Sequence, residues 1–254
     1  MRILITNDDG INAQGLEILK AIALGISPDV WTVAPETNQS GTSHSMTLHS
    51  PLRLRTLDER THAVAGTPTD CVIMAVRHIL KHQPPDLVLS GINYGSNLAE
   101  DVTYSGTVAA AMEGALLGVR SIALSLMTGF EDGERRAFWD TPLAHAPQLI
   151  RTLIAQKWNP NTLINVNFPD APPDEVKGIA VATQGIRDQA LLNIDSRVDP
   201  WGTPYFWFGF ERRKSTLVPG TDLAAIAENK ISVTPLSLDF TDRTAAETLA
   251  SRFV

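Results

Sequence analysis

The feature that most restricts the fold of this chain is the alternation of short apolar runs with amphipathic stretches along its first ninety residues. That alternation is expected when parallel β-strands are joined by crossover helices. Residues 3–6 form the first run and read as a buried strand. Within residues 13–26, Leu16, Leu19, Ile22, Ala23 and Ile26 recur at spacings of three and four and so share one face of a helix packed on the sheet. Residues 30–34 give a second strand, ended by Pro35. The polar stretch 36–45 that follows has neither periodicity nor bulk and reads as a functional loop.

Thr67-Pro68-Thr69-Asp70 opens the next helix with a capping residue, a proline at the first helical position and an acid able to reach back to the cap. Pro84-Pro85 ends it, and residues 86–90 give a short strand before the glycine-rich run 91–97. Helices near 106–117 and 135–156 flank a strand at 121–126, with further strands expected at 163–168 and 178–182. Residues 1–184 thus read as one α/β body carrying the active site. Beyond about Gly185 the texture changes to an aromatic run, Trp201-Gly202-Thr203-Pro204-Tyr205-Phe206-Trp207-Phe208-Gly209-Phe210, which reads as a β-hairpin arm. Such a run either pairs its aromatics inside a small sheet or contacts another subunit. Residues 185–254, arm and closing helix near 243–252, are the expected oligomerisation segment.

A formal net charge of −7 opposes binding to a nucleic-acid polymer, because such proteins gather Lys and Arg against phosphates. It permits a small phosphorylated substrate whose charge is met locally by a metal or by backbone N–H groups. The apolar runs fall short of the roughly 20 residues of a membrane helix, and two acids within the first nine residues oppose a secretory leader. The expectation is a cytoplasmic protein with no membrane partner. Cys71 has no second cysteine to pair with and reads as a packed thiol.

Ligands of open parallel sheets bind outside the carboxyl ends of the strands, where loops splay and helix N-termini point inward. There the sequence sets Asn7-Asp8-Asp9-Gly10, the loop 36–45, Asn93, Asn97 and the turn Tyr104-Ser105-Gly106-Thr107. Adjacent aspartates in a desolvated crevice repel one another unless a cation lies between them. Oxygen donors of this type suit Mg²⁺ or Mn²⁺, and no His/Cys cluster has the spacing of a zinc site. Alone, Asp-Asp-Gly reads equally as a turn with an Asx cap. Ser105-Gly106-Thr107 would aim backbone N–H groups and two hydroxyls at an anion, with plain capping by Ser105 as the alternative.

Five ordered motifs carry a resemblance: Thr6-Asn7-Asp8-Asp9-Gly10; Ala34-Pro35 with Asn38-Gln39-Ser40-Gly41; Gly66-Thr67-Pro68-Thr69-Asp70-Cys71; Ser90-Gly91-Ile92-Asn93-Tyr94-Gly95-Ser96-Asn97; and Tyr104-Ser105-Gly106-Thr107-Val108. Along nearly its full length the chain resembles SurE, the survival protein E family of 5'/3'-nucleotidases. The resemblance implies a Rossmann-like three-layer body with a parallel-sheet core and a C-terminal arm exchanged between subunits, in a homodimer or homotetramer. It implies hydrolysis of nucleoside 5'- and 3'-monophosphates with one divalent metal ion per subunit. Carried over, the metal ligands are Asp8, Asp9, Ser40 and Asn93, the two aspartates being catalytic. The substrate-phosphate contacts are Asn97, Ser105, Gly106 and Thr107. The chain departs from the family pattern at Ala99, where relatives often have glycine, so a loop needing positive φ there would strain it. His44 reads as a structural or solvent-facing histidine outside the site.

Rival readings fit the residues less well. An aspartyl-nucleophile phosphatase expects a second acid two places after the first, where Gly10 stands. A zinc-dependent deacetylase expects histidine before the acid pair, where Asn7 stands. A dinucleotide fingerprint after the first strand is absent. A nucleotide-binding regulatory module without turnover remains the alternative of a different kind.

Overall fold

The computed structural model describes residues 1–187, 192–210 and 216–253. The elements in chain order begin with β1 (Arg2–Thr6), α1 (Gln14–Leu24), β2 (Asp29–Pro35), β3 (Leu54–Asp58), β4 (Thr61–Val64), α2 (Pro68–Met74), β5 (Leu87–Tyr94) and α3 (Gly106–Leu116). They continue with β6 (Arg120–Leu126), β7 (Gly129–Glu131), β8 (Glu134–Arg136), α4 (Asp140–Ile154), β9 (Thr162–Phe168) and β10 (Ile179–Val181). The last are β11 (Leu192–Val198), β12 (Pro204–Phe210), α5 (Asp222–Ala227), β13 (Ile231–Ser237) and α6 (Arg243–Ala250).

Nine strands form one sheet in the order β10-β13-β9-β6-β5-β1-β2-β4-β3. Pairing is parallel except where β3 meets β4 and β13 meets β9. Successive residues of a strand face opposite ways, and here both faces are covered. Ile3 and Ile5 pack with Leu16, Leu19 and Ile22 of α1 and with Leu149 and Ile150 of α4. Leu4 and Val88 pack on the other side with Cys71 and Val72 of α2 and Ala110 of α3. Burial on both faces is why the strands read as unbroken apolar runs. The result is the expected three-layer α/β fold. Cys71 is fully buried, and burial pushes its thiol well above the usual range.

At α2 the capping expectation is met: the Asp70 N–H donates to Thr67 Oγ1 at 3.1 Å, and the Thr67 N–H donates to the Asp70 carboxylate at 2.9 Å. Elsewhere the boundaries differ. The helix expected over 135–156 begins only at Asp140, because Arg135 and Arg136 lie in β8. Asp132 (φ 52°) and Gly133 (φ 85°) make the two-residue turn joining β7 to β8, a hairpin signal the helical reading overrode. The strand expected at 86–90 runs on to Tyr94 through Gly91, with a register shift against β6 between Ser90 and Asn93. A side chain at Gly15 would lie 1.9 Å from the Ile92 carbonyl oxygen, so α1 rests directly on β5 as it approaches Asn93.

The hairpin arm is present as β11 and β12, paired antiparallel from Leu192↔Phe210 to Val198↔Pro204 in a sheet of their own. Residues 188–191 and 211–215 of the expected arm, and Val254, lie outside the described residues. Beyond residue 184, β13 returns the chain into the main sheet between β9 and β10. Pro235 interrupts the residue pattern of this strand, in an antiparallel pair opposite Ile164.

Candidate active site

From β1 the chain passes to β2 and β4 on one side of the sheet, then to β5, β6 and β9 on the other. The switch point therefore lies at the carboxyl ends of β1 and β5, where such sheets open a crevice. The Asn7 side chain shapes the exit of β1: its amide N–H donates to the Gly10 carbonyl at 2.9 Å, and its Oδ1 accepts the Gly10 N–H at 3.3 Å. Gly10 has φ +103°, and a side chain there would lie 3.2 Å from the Thr37 carbonyl carbon. Glycine thus lets the loop after β2 close on the aspartates. In that loop the Gln39 N–H donates to the Asp8 carbonyl at 2.7 Å and the Asn38 amide to Asp9 Oδ1 at 3.4 Å.

Asp8 is 4% exposed. The Thr107 hydroxyl, in the first turn of α3, donates to Asp8 Oδ1 at 2.5 Å, and the Thr107 N–H also acts on this carboxylate. A side chain at Gly106 would lie 2.7 Å from Asp8 Cβ, so only glycine lets the N-terminus of α3 come this close. Burial drives the Asp8 pKa up to about 6; the Thr107 hydrogen bond opposes the rise and the neighbouring Asp9 charge adds to it. Asp9 is likewise raised by burial, against the Tyr94 N–H, which donates to it at 3.2 Å, and the Arg135 charge.

Not all the sequence-predicted residues converge equally. Asp8, Gly106 and Thr107 touch one another. Ser40 is exposed and adjoins Asp9 through Asn38, whose Oδ1 accepts the Ser40 N–H at 2.8 Å. Asn93 precedes the Tyr94 amide that binds Asp9, and its own side chain donates to the Gly95 carbonyl at 2.8 Å. The Ser105 hydroxyl accepts the Val108 N–H at 3.0 Å as the α3 cap. Asn97 joins a buried set at the ends of β6 and β9: its side-chain amide donates to Ser125 Oγ at 2.8 Å and its N–H to Asn167 Oδ1 at 2.8 Å. Its carbonyl accepts from Asn165 and Asn167 at 2.8 and 3.1 Å. Ala99 does occupy a positive-φ position, at +53°, with its N–H donated to Asp222 at 2.8 Å.

Two features escaped the sequence reading. Arg135 stacks over the Tyr94 ring at 4.6 Å and donates to Thr128 Oγ1 at 2.9 Å, beside Asp9; only the Asp132-Gly133 turn signal would have brought it there. His44 Nε2 lies 2.9 Å from Glu113 Oε2. The available signal was a single acid in the otherwise small and apolar start of α3.

Among the described residues no cluster of three or more His, Cys, Asp or Glu is arranged to hold a metal. A cation at this crevice would rest on two carboxylates plus neutral oxygens, a donor set that suits hard divalent ions. Fold and site together define a class: a doubly wound α/β protein whose switch-point crevice sets paired carboxylates against a helix N-terminus.

Within that class the chain belongs to the survival protein SurE family, whose model matches residues 3–190. It is 60% identical over 242 residues to a protein named 5'-nucleotidase SurE from Methylobacterium sp. (strain 4-46), with 95% of each chain covered. It is 56% identical over 253 residues to the 5'-nucleotidase SurE of Methylorubrum extorquens (strain PA1), covering 100% of this chain and 99% of the relative. The crystal structure of the SurE protein from Aquifex aeolicus superposes with a TM-score of 0.84 at 38% identity, each chain fully covered.

Proposed function

We propose that this protein is a divalent-metal-dependent phosphatase that hydrolyses nucleoside 5'- and 3'-monophosphates to nucleoside and phosphate. The observation that carries the reading is the Asp8–Asp9 pair pressed against the start of α3, in a chain whose relatives at 56–60% identity are named 5'-nucleotidase SurE. Two carboxylates that burial holds above their ordinary pKa values are poorly placed without a cation and well placed with one. Asp8 and Asp9, with Ser40 and Asn93, are the proposed ligands of one Mg²⁺ or Mn²⁺ ion per subunit. When bound, that ion supplies charge neutralisation and polarisation of the phosphoryl group.

In this proposal the protein's own contribution is binding and orientation. The Gly106 N–H in the first turn of α3 faces the substrate phosphate with the Ser105-Gly106-Thr107 turn around it, Ser105 keeps that turn in shape, and Asn97 offers its second amide hydrogen. Thr107 holds Asp8 in one orientation. Residues 185–254 are proposed as the segment used in a homodimer or homotetramer, supported by the exposure of Trp201, Phe206, Trp207 and Phe208. The proposed site of action is the cytoplasm. Among the described residues no helix is long and apolar enough to cross a membrane.

The test is phosphate release from AMP and GMP with Mn²⁺ or Mg²⁺, with and without EDTA, in the parent and in Asp8→Asn. The expectation is loss with EDTA and a fall on the order of a thousand-fold in the variant, as for removal of an interaction made in the transition state. Release that survives both would overturn the metal reading. Nucleotide binding without release, indifferent to chelator, would favour the regulatory module.

A further inference from the structure

A cavity of about 860 Å³ opens beside Ser105 and is lined by His44, Ala109, Met112, Gln184 and Leu236 among others. Its volume is within the roughly 300–1,000 Å³ of small-molecule sites. His44 on its wall is paired with Glu113 behind it, Nε2 to Oε2 2.9 Å. Glu113 is 8% exposed on a helix whose other buried residues are small or apolar apart from Thr107. Burying a carboxylate is costly unless it is paired, so its place on α3 needs a reason beyond packing.

A tether for the loop is not sufficient reason. That loop is already held by the Ser43 hydroxyl on the Thr103 carbonyl at 2.7 Å, by Thr47 on Asp70 at 2.6 Å, and by the Thr67 hydroxyl on the Ser45 carbonyl at 2.7 Å. What the carboxylate does for the ring is specific. A carboxylate only accepts, so His44 Nε2 carries the hydrogen and, in the neutral ring, Nδ1 is left as an acceptor. A helical side chain leans over the preceding turn, which sets the Glu113 carboxylate near the level of Ala109, roughly 6 Å along the axis from the Ser105 cap. Ser105 and His44 line the same cavity, so a group attached to a phosphate held at that cap has His44 within the space open to it.

We infer that His44, oriented by Glu113, is a positioning residue for the nucleoside part of the substrate, accepting a hydrogen bond from one of its hydroxyl or N–H groups in this cavity. The inference rests on the activity proposed above and adds the side chains that separate a nucleotide from any other phosphate ester. The experiment compares AMP with p-nitrophenyl phosphate, both with Mn²⁺, in the parent, His44→Ala, Glu113→Ala and the double variant. The ratio of kcat/KM for AMP to that for p-nitrophenyl phosphate should fall at least ten-fold in each single variant, mainly through KM for AMP. The double variant should fall little further, since the pair acts as one unit.

A parallel fall for both esters, or an unchanged ratio, overturns the assignment and leaves a merely structural pair. Absence of AMP turnover by the parent overturns the activity reading and this assignment with it. Turnover of AMP by a parent whose variants keep the parental ratio overturns the assignment alone.

Discussion

Asp8 and Asp222 are both buried aspartates, 4% and 0% exposed, yet their surroundings differ in kind. Asp222 receives three backbone N–H groups, from Ala99, Gly185 and Leu223, each at 2.8 Å. Asp70 is similar, with Thr47 N–H, Thr47 hydroxyl and Thr67 N–H at 3.0, 2.6 and 2.9 Å. Asp8 has the support of Thr107 and, against it, the like charge of Asp9 next in the chain. A carboxylate with a full set of donors ties segments together. One that is desolvated, partly bonded and crowded by its own kind is suited to a ligand.

The contrast can be broken most sharply at Asp222. Asp222→Ala leaves the Ala99 and Gly185 N–H groups without their acceptor and should cost about 4 kcal/mol, a fall in Tm on the order of 10 °C. A loss under 1 kcal/mol in chemical denaturation would mean that the donors find water and that Asp222 is not a tie.

The next effect concerns Asp8 and pH. Its folded pKa of about 6 lies above the ordinary 3.8, so the folded state holds the proton more tightly than the unfolded chain. The stability this contributes is complete below pH ~4 and is lost as pH rises through ~6, up to about 3 kcal/mol. Metal-free protein should therefore unfold at lower denaturant at pH 7.5 than at pH 5. Asp8→Asn should flatten that difference, and Mn²⁺ should restore stability to the parent at pH 7.5. A slope that persists unchanged in Asp8→Asn would show that other groups cause it.

At the far end of the Asp222 tie a substitution should be almost neutral. Ala99 sits at φ +53° and is fully buried. Glycine there relieves left-handed strain of roughly 1–2 kcal/mol, and gives up a methyl of about 0.8 kcal/mol and roughly 0.5–1 kcal/mol of chain entropy. The terms nearly cancel, so Ala99→Gly should move Tm by less than about 3 °C. A much larger rise would mean that the loop carries strain the hydrogen bonds do not offset.

Much of the body was legible because it depends on near neighbours. The apolar spacing of α1, the Thr67 cap with Pro68, and the aspartate pair at the end of β1 all stood in consecutive residues. The β7–β8 hairpin was obscured because its three-residue strands are too short to show a period, leaving Asp132-Gly133 as the only cue. β3 and β4 went unassigned for a related reason, being short strands at the sheet edge, where β3 is largely exposed. β13 was missed because its identity as a strand comes from β9 and β10 on either side of it.

Local residue patterns were enough for α1, α2, α3 and the central strands, and for the loops rich in oxygen donors, since backbone preference and side-chain periodicity are local. It also placed Ser105, Gly106 and Thr107 at a helix start. Only the tertiary structure decided what each acid does. Thr107 reaches Asp8 across 99 positions, His44 reaches Glu113 across 69, and Ala99 reaches Asp222 across 123. Burial and donor count are set by such distant partners, and they separate a carboxylate that braces the fold from one poised for chemistry.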